Sequence, residues 1–165
     1  MAAALVAVPV VAVAVYALRT WPPINDITTD TADPPAFVAL VAERTRAGAT
    51  SPYPGEHVAR AQRAAYPDLA PVIVAVPPLA AFATAQSIVR ANGWTVVAED
   101  AGSGHIEAVA TTSWLRFHDD VVIRIRPEGA GSRIDVRSAS RVGRGDLGTN
   151  ARRIREFAAR MVAAR

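Results

Sequence analysis

The 165-residue chain has no cysteine, which excludes disulfides, thiolate metal sites and a cysteine nucleophile. It has no lysine either, since all 18 of its basic residues are arginine. Without lysine there is no P-loop of the G-x-x-x-x-G-K-[ST] kind. A replacement this complete, and not confined to one patch, is what codon bias produces, so it is not in itself a sign of bidentate anion recognition. What charge there is lies unevenly. Residues 1–115 hold 6 arginines and 9 acids, whereas residues 116–165 hold 12 arginines and 6 acids. The C-terminal third is the basic part, and an anionic partner is expected there.

Charge is absent altogether from Ala2 to Leu18, seventeen residues that read AAALVAVPVVAVAVYAL. As a helix this run is about 26 Å long, near the lower limit for crossing a bilayer. Tyr16, Arg19 and Trp21 suit the headgroup boundary, and Pro9 is tolerated in lipid where a neighbouring helix takes up its freed carbonyl. No basic segment precedes the run and W-P-P-I follows it, which is unlike a secretory signal. The run also has no polar face, unlike a helix packed on a small domain. A transmembrane helix is therefore expected over residues 1–20.

Residues 21–70 read as an extended, proline-rich connector with short helices over Phe37–Arg46 and His57–Ala65. From residue 71 the pattern is regular. Val72–Val76 suits a buried strand, and Pro78 opens a helix that Asn92-Gly93 stops. Trp94–Glu99, His105–Thr112, Val121–Arg126 and Arg133–Ser140 are four strand candidates. In the last two, Val121, Ile123, Ile125, Ile134 and Val136 alternate with Arg124, Arg126, Arg133, Asp135 and Arg137. That alternation predicts an antiparallel sheet with one buried and one solvated face. Leu147, Ala151, Ile154, Ala158 and Met161 form the apolar stripe of a closing helix. Residues 71–165 thus form an α+β domain in the order strand, helix, four strands, helix, its antiparallel sheet packed on helices. This is the TATA-box-binding-protein-like or helix-grip outline, here preceded by the N-terminal membrane helix.

Gly143, Gly145 and Gly148 spell G-x-G-x-x-G between the last strand and the closing helix. A dinucleotide site would need a further parallel strand and a ribose-binding acid about 20 residues on. Only seventeen residues follow Gly148, so that reading fails on context. Two readings stand. In the first, Gly143 takes a positive φ at the strand exit and Asp146 caps the helix. In the second, the helix N-terminus binds an anion beside Arg141 or Arg144.

The string RIDVRSASRVGRGDLGTNARRI, with TTSWLRFHDDVVIRIRP before it and INDITTDTADPPAF and YPDLAPV upstream, resembles the domain-of-unknown-function 1499 family of bacterial and plastid proteins. The resemblance runs from Ile24 to the end. Gly145 departs from it, since serine is common at that position, which weakens a phosphate-loop reading. The resemblance implies a place beside membrane helices, and no particular activity, cofactor or catalytic residue.

Other candidate chemistry is sparse. His118, Asp119 and Asp120 are adjacent, and adjacent strand residues point to opposite faces, so a loop at the strand entrance suits them better than a metal site. His105 and Glu107 share a face but have no third ligand. Ser113, Ser138 and Ser140 have no nucleophile elbow. The arginine-rich polar face reads either as solvated cross-strand ion pairs or as a site for an anionic headgroup. The expected role is a non-enzymatic binding or structural module tethered to the bacterial envelope membrane. Its partner would be the membrane itself, an anionic lipid or an envelope protein, with no nucleic acid, metal or cofactor. Arg137, Ser138, Ser140, Arg141, Gly143, Asp146 and Asn150 are the candidate ligand contacts. The alternative is an enzyme of unknown reaction with a polar site around Arg137, Arg141, Asp146 and Asn150.

Overall fold

Local sequence signals set most of the element boundaries seen in the computed structural model, which describes residues 21–112 and 117–164. The membrane helix expected over residues 1–20 lies outside the described residues. Among the described residues no helix is long and apolar enough to cross a membrane. The elements are β1 (Asp26–Thr28), α1 (Val41–Arg46), α2 (Glu56–Ala65), β2 (Val72–Val74), α3 (Pro78–Ala91), β3 (Thr95–Asp100), β4 (His105–Thr111), β5 (His118–Glu128), β6 (Gly131–Ser140) and α4 (Thr149–Ala163). Pro78 occupies the first turn of α3, where its missing N–H costs nothing. Gly93, at φ +70°, ends that helix in the left-handed conformation glycine adopts freely.

The fold is α+β, with an antiparallel sheet packed on helices. The sheet runs β1-β6-β5-β4-β3, and β2 pairs with the other half of the β6 edge that β1 occupies. Every pairing is antiparallel. Because side chains alternate along each strand, Val121, Ile123 and Ile125 share one face with Ile134 and Val136. The helices α3 and α4 cover that face through Phe82, Ala85, Val89, Ile154, Phe157 and Met161. Phe157 is fully buried and stacks on Trp94 at 6.2 Å between ring centroids. Truncating such a ring to alanine costs about 3–5 kcal/mol.

The opposite face departs from the expected solvated one. Asp135 is 0% exposed and Arg137 1%. The segment between β1 and α2 lies over this face and packs Phe37 and Leu40 on Val122 and Ala139. Burying so many charges is tolerable only because each carboxylate meets a guanidinium or an N–H group. The segment that reads as a connector therefore supplies a strand and a cover. Its helix α2 also closes the outer edge of β1. Gln62 reaches both backbone polar groups of Thr28, accepting from its N–H at 3.0 Å and donating to its carbonyl at 2.6 Å. A side-chain amide thus takes the place of a further strand and blunts an open edge.

One residue assigned to the closing helix stands elsewhere. Leu147 precedes α4, has φ +52° and is 67% exposed, so it is not part of the buried stripe. Two residues of backbone in the left-handed region, Leu147 and Gly148, stand between the strand exit and the first helical turn and turn the Leu147 side chain outward.

Candidate functional site

The strand β6 ends at Ser140, beside the first residues of β5 and below the start of α4. Between them opens a cleft of about 340 Å³. Ser140 at the end of β6, Gly143 and Asp146 of the glycine segment and Thr149 at the start of α4 line one side, and Thr112 after β4, Phe117 before β5 and Asp119 within β5 line the other. Its rim is apolar. Phe117 is 50% exposed and Val142 65%, and Leu147 stands with them. A second cleft of about 380 Å³ lies across the same segment and shares Ser140, Val142 and Gly143, but it is lined by Asp26, Arg44 and Arg141 and is polar in character.

The glycine segment owes its shape to local chemistry. Gly143 has φ +91°, and its carbonyl accepts a 2.6 Å bond from the Asn25 side chain. The N-cap position of α4 is held by Gly148, and Asp146, two residues earlier, accepts from the N–H groups of Gly148 at 2.9 Å and of Asn150 at 2.6 Å, so its carboxylate satisfies one first-turn donor of the helix. A β-carbon on Gly148 would come within 2.8 Å of the Trp21 ring, which shows how closely the start of the described chain packs there.

Asn150 sits behind the cleft, 0% exposed. Its side chain accepts from Ser138 at 2.6 Å and from Arg153 at 2.6 Å, and donates to Ser140 at 2.9 Å and to the Asn25 carbonyl at 3.1 Å. Arg153 continues to Asp119 at 2.6 Å. Asp120, on the opposite face of β5, accepts from Arg44 at 2.8 Å and from two nitrogens of Arg141. The hydrogen bond to Asp120, with its negative charge, raises the Arg141 pKa above the ordinary value, against the effect of burial. As the alternation requires, the two aspartates of His118-Asp119-Asp120 do not converge. All three belong to β5 and not to a loop, and His118 bonds across the strands to Thr111 at 3.2 Å.

Arg137 is far from the cleft in chemical terms. It makes a bidentate pair with Asp26 at 2.8 Å, donates to the carbonyls of Pro35 and Ser51, and lies over the rings of Phe37 and Tyr53. Burial, with help from the nearby Asp26 carboxylate, pushes the Tyr53 phenol up to about 12. The remaining arginines of this face also meet carboxylates of the chain. Arg124, Arg126 and Arg133 converge on Asp30, Asp33 and Asp135, three cations on three anions. His105 donates to Glu107 at 2.8 Å, and Glu107 also accepts the N–H groups of Val38, Ala39 and Leu40. Burial alone would raise the Glu107 carboxyl. The bonds from His105 and from those three amides outweigh it and hold the group below its ordinary range. Among the described residues no three His, Asp or Glu side chains gather as metal ligands.

Of the expected ligand contacts, the fold therefore brings Ser140, Gly143 and Asp146 to one cleft, with Ser138 and Asn150 directly behind. Arg141 lines the second cleft, and Arg137 belongs to the buried face. Ser113 lies outside the described residues. Sequence reasoning missed Phe117, Val142 and Leu147. The available signal was the presence of Val142 and Leu147 in an otherwise polar, glycine-rich stretch that did not need apolar side chains. It also missed Arg44, Asp26 and Arg153, whose partners are far away in the chain.

A family model described as "Protein of unknown function (DUF1499)" matches residues 26–161. No curated protein matches the chain.

Proposed function

Starting from the fact that the chain belongs to the DUF1499 family, we propose that it is a membrane-tethered, non-enzymatic binding module of the bacterial envelope. The observation that carries this reading is the contrast between cleft and charges. The space at the end of the sheet has an apolar, exposed rim, while the carboxylates of Asp119, Asp120 and Asp146 around it are engaged with guanidiniums or with backbone N–H groups. A concave surface of that kind is suited to holding an apolar group and ill suited to transferring protons. The tether is the apolar run Ala2–Leu18, which is long enough for a bilayer. We read the strand, helix, four strands, helix order as the helix-grip outline related to the TATA-box-binding-protein fold, a framework that places a cleft between sheet and closing helix.

The alternative, an enzyme built on Arg137, Arg141, Asp146 and Asn150, draws less support. Arg137 and Asn150 stand on opposite faces of the sheet, and Asp146 is committed to capping α4. What favours it is that Asp146 and Ser140 do adjoin the cleft. Alkaline carbonate extraction of bacterial membranes tests the main reading. The full chain should stay in the membrane pellet and a chain beginning at Trp21 should be released. A full chain released as readily as the shortened one overturns the tether.

A further inference from the structure

We infer that the rim of the 340 Å³ cleft is a membrane-docking face, which seats Phe117, Val142 and Leu147 at the boundary between phospholipid headgroups and acyl chains. The inference rests on the tethered reading above and adds which end of the domain meets the bilayer and through which side chains.

Topology supplies the first argument. Asp26 pairs with Ala139, so the chain joins the sheet where β6 ends, at the cleft and not at the far end. Just upstream, Pro23 lies against Gly145, and Trp21 packs on Gly148 while remaining 36% exposed. Only Arg19 and Thr20 separate Leu18 from Trp21, and the three residue steps between them reach at most about 11 Å. A bilayer holding the apolar run therefore lies within that distance of the domain surface carrying the cleft. Tryptophan at that junction suits the headgroup layer.

The rim itself supplies the second. Single exposed apolar residues are ordinary on any protein. Here Phe117 at 50%, Val142 at 65% and Leu147 at 67% come from three separate positions to one end of the sheet. Leu147 does so from φ +52°, a conformation that costs a residue with a β-carbon roughly 1–2 kcal/mol. The conformation turns a large apolar side chain into water and not into the core, and such outliers concentrate where something binds.

Charge supplies the third. Asp119 is paired with Arg153, Asp120 with Arg44 and Arg141, and Asp146 with backbone N–H groups. Arg144, between Val142 and Leu147, is exposed and makes no ion pair among the described residues. The rim thus offers lipid phosphates a cation and no bare carboxylate, and a basic residue at an anionic leaflet contributes about 1 kcal/mol.

The chain has no cysteine, so single cysteines can carry an environment-sensitive fluorophore without background. The full chain bearing Val142→Cys or Leu147→Cys would be reconstituted in phosphatidylglycerol–phosphatidylethanolamine vesicles, with Leu79→Cys as the reference. Leu79 is 69% exposed and follows β2, which pairs with Ser132 at the other end of β6, about 27 Å along the strand from Ser140. The labels at positions 142 and 147 should be blue-shifted and quenched by brominated acyl chains, and the label at 79 should show neither effect. Equal emission and equal quenching at all three sites overturn the docking face. A blue shift without quenching by lipid also overturns it, because the rim is then covered by protein, either a second copy or the apolar run folded back. Vesicle flotation separates the two readings. A chain that does not float overturns the tether and the docking face together, whereas a chain that floats with all labels in water overturns the docking face alone.

Discussion

Glu107 offers the sharpest test of how the buried polar face is held together. One carboxylate oxygen accepts from the N–H of Val38 at 2.6 Å and of Ala39 at 3.0 Å, and the other from Leu40 at 2.9 Å. The side chain is 0% exposed, and His105 is 2.8 Å away. Glu107→Gln keeps the shape but turns one oxygen into a donor. Whichever way the amide lies, its NH₂ faces at least one backbone N–H, leaving a buried donor unsatisfied at about 1–3 kcal/mol. The bonds that survive also lose the anionic acceptor, which makes each roughly 1 kcal/mol weaker. Removing a buried charge offsets part of this. The expected net loss is about 3 kcal/mol, or about 6–12 °C in Tm for a domain of this size.

The pH dependence gives this prediction a sign that mere packing damage would not have. The folded-state pKa of Glu107 lies below the value of 4.5 taken for an unperturbed carboxyl. A depressed folded pKa contributes stability that is present above the unfolded value and lost as pH falls through the folded one. The stability gap between parent and Glu107→Gln should therefore be widest near neutrality and close in acid, where protonated glutamate resembles glutamine. Urea unfolding of the full chain in mild detergent, followed by circular dichroism from about pH 7 to about pH 3, measures it. A gap below about 1 kcal/mol at neutral pH, or one that does not narrow in acid, refutes the reasoning.

Three further outcomes are expected. Arg137→Met should cost about 3–5 kcal/mol because it strands Asp26, and Asp26→Leu combined with Arg137→Met should be less damaging than Arg137→Met alone; a double variant at least as destabilised as Arg137→Met, in the same urea titration, would contradict this. Asp146→Ala removes the acceptor for the Gly148 and Asn150 N–H groups and should lower stability by about 1 kcal/mol, a shift of about 2–4 °C in Tm by thermal circular dichroism; no shift would mean the cap contributes nothing. Gly148→Ala places a β-carbon 2.8 Å from the Trp21 ring at φ +78°, so it should destabilise by more than the roughly 1–2 kcal/mol of backbone strain alone. Trp21→Ala should recover the steric part of that loss but not the strain, and the double variant's Tm decides the matter.

Alternation and punctuation made the sheet and its helices legible in the sequence. The Val121–Ile125 and Ile134–Val136 periods, Pro78 before α3 and Gly93 after it act over a few residues, so they are readable without tertiary information. The glycine segment was legible for the same reason, because Gly143 and Asp146 meet requirements set by the next few residues. Leu147 was misplaced because helical spacing extends naturally back to it, and only the left-handed turn before Thr149 removes it from the stripe. The strand β1 was missed because three residues, DIT, carry no period of their own. Their extended form comes from pairing with β6 more than a hundred residues later.

Charge shows most clearly where sequence ends and tertiary structure begins. The sequence by itself determines that the basic residues concentrate after residue 116 and that the earlier part is acidic. It also determines which strand positions alternate between apolar and charged. Only the fold decides that the two charge populations meet: Asp26, Asp30 and Asp33 from the N-terminal segment lie over Arg137, Arg133 and Arg126 of the sheet. A surface that the sequence offered to an anionic partner is thereby occupied by the chain's own carboxylates. Ion pairing acts through space and depends on separations of a few ångströms, whereas these partners are separated by about a hundred residues of sequence. The same holds for the cleft, whose rim brings Phe117 together with Val142 and Leu147 because β5 and β6 pair at Asp119 and Ser140.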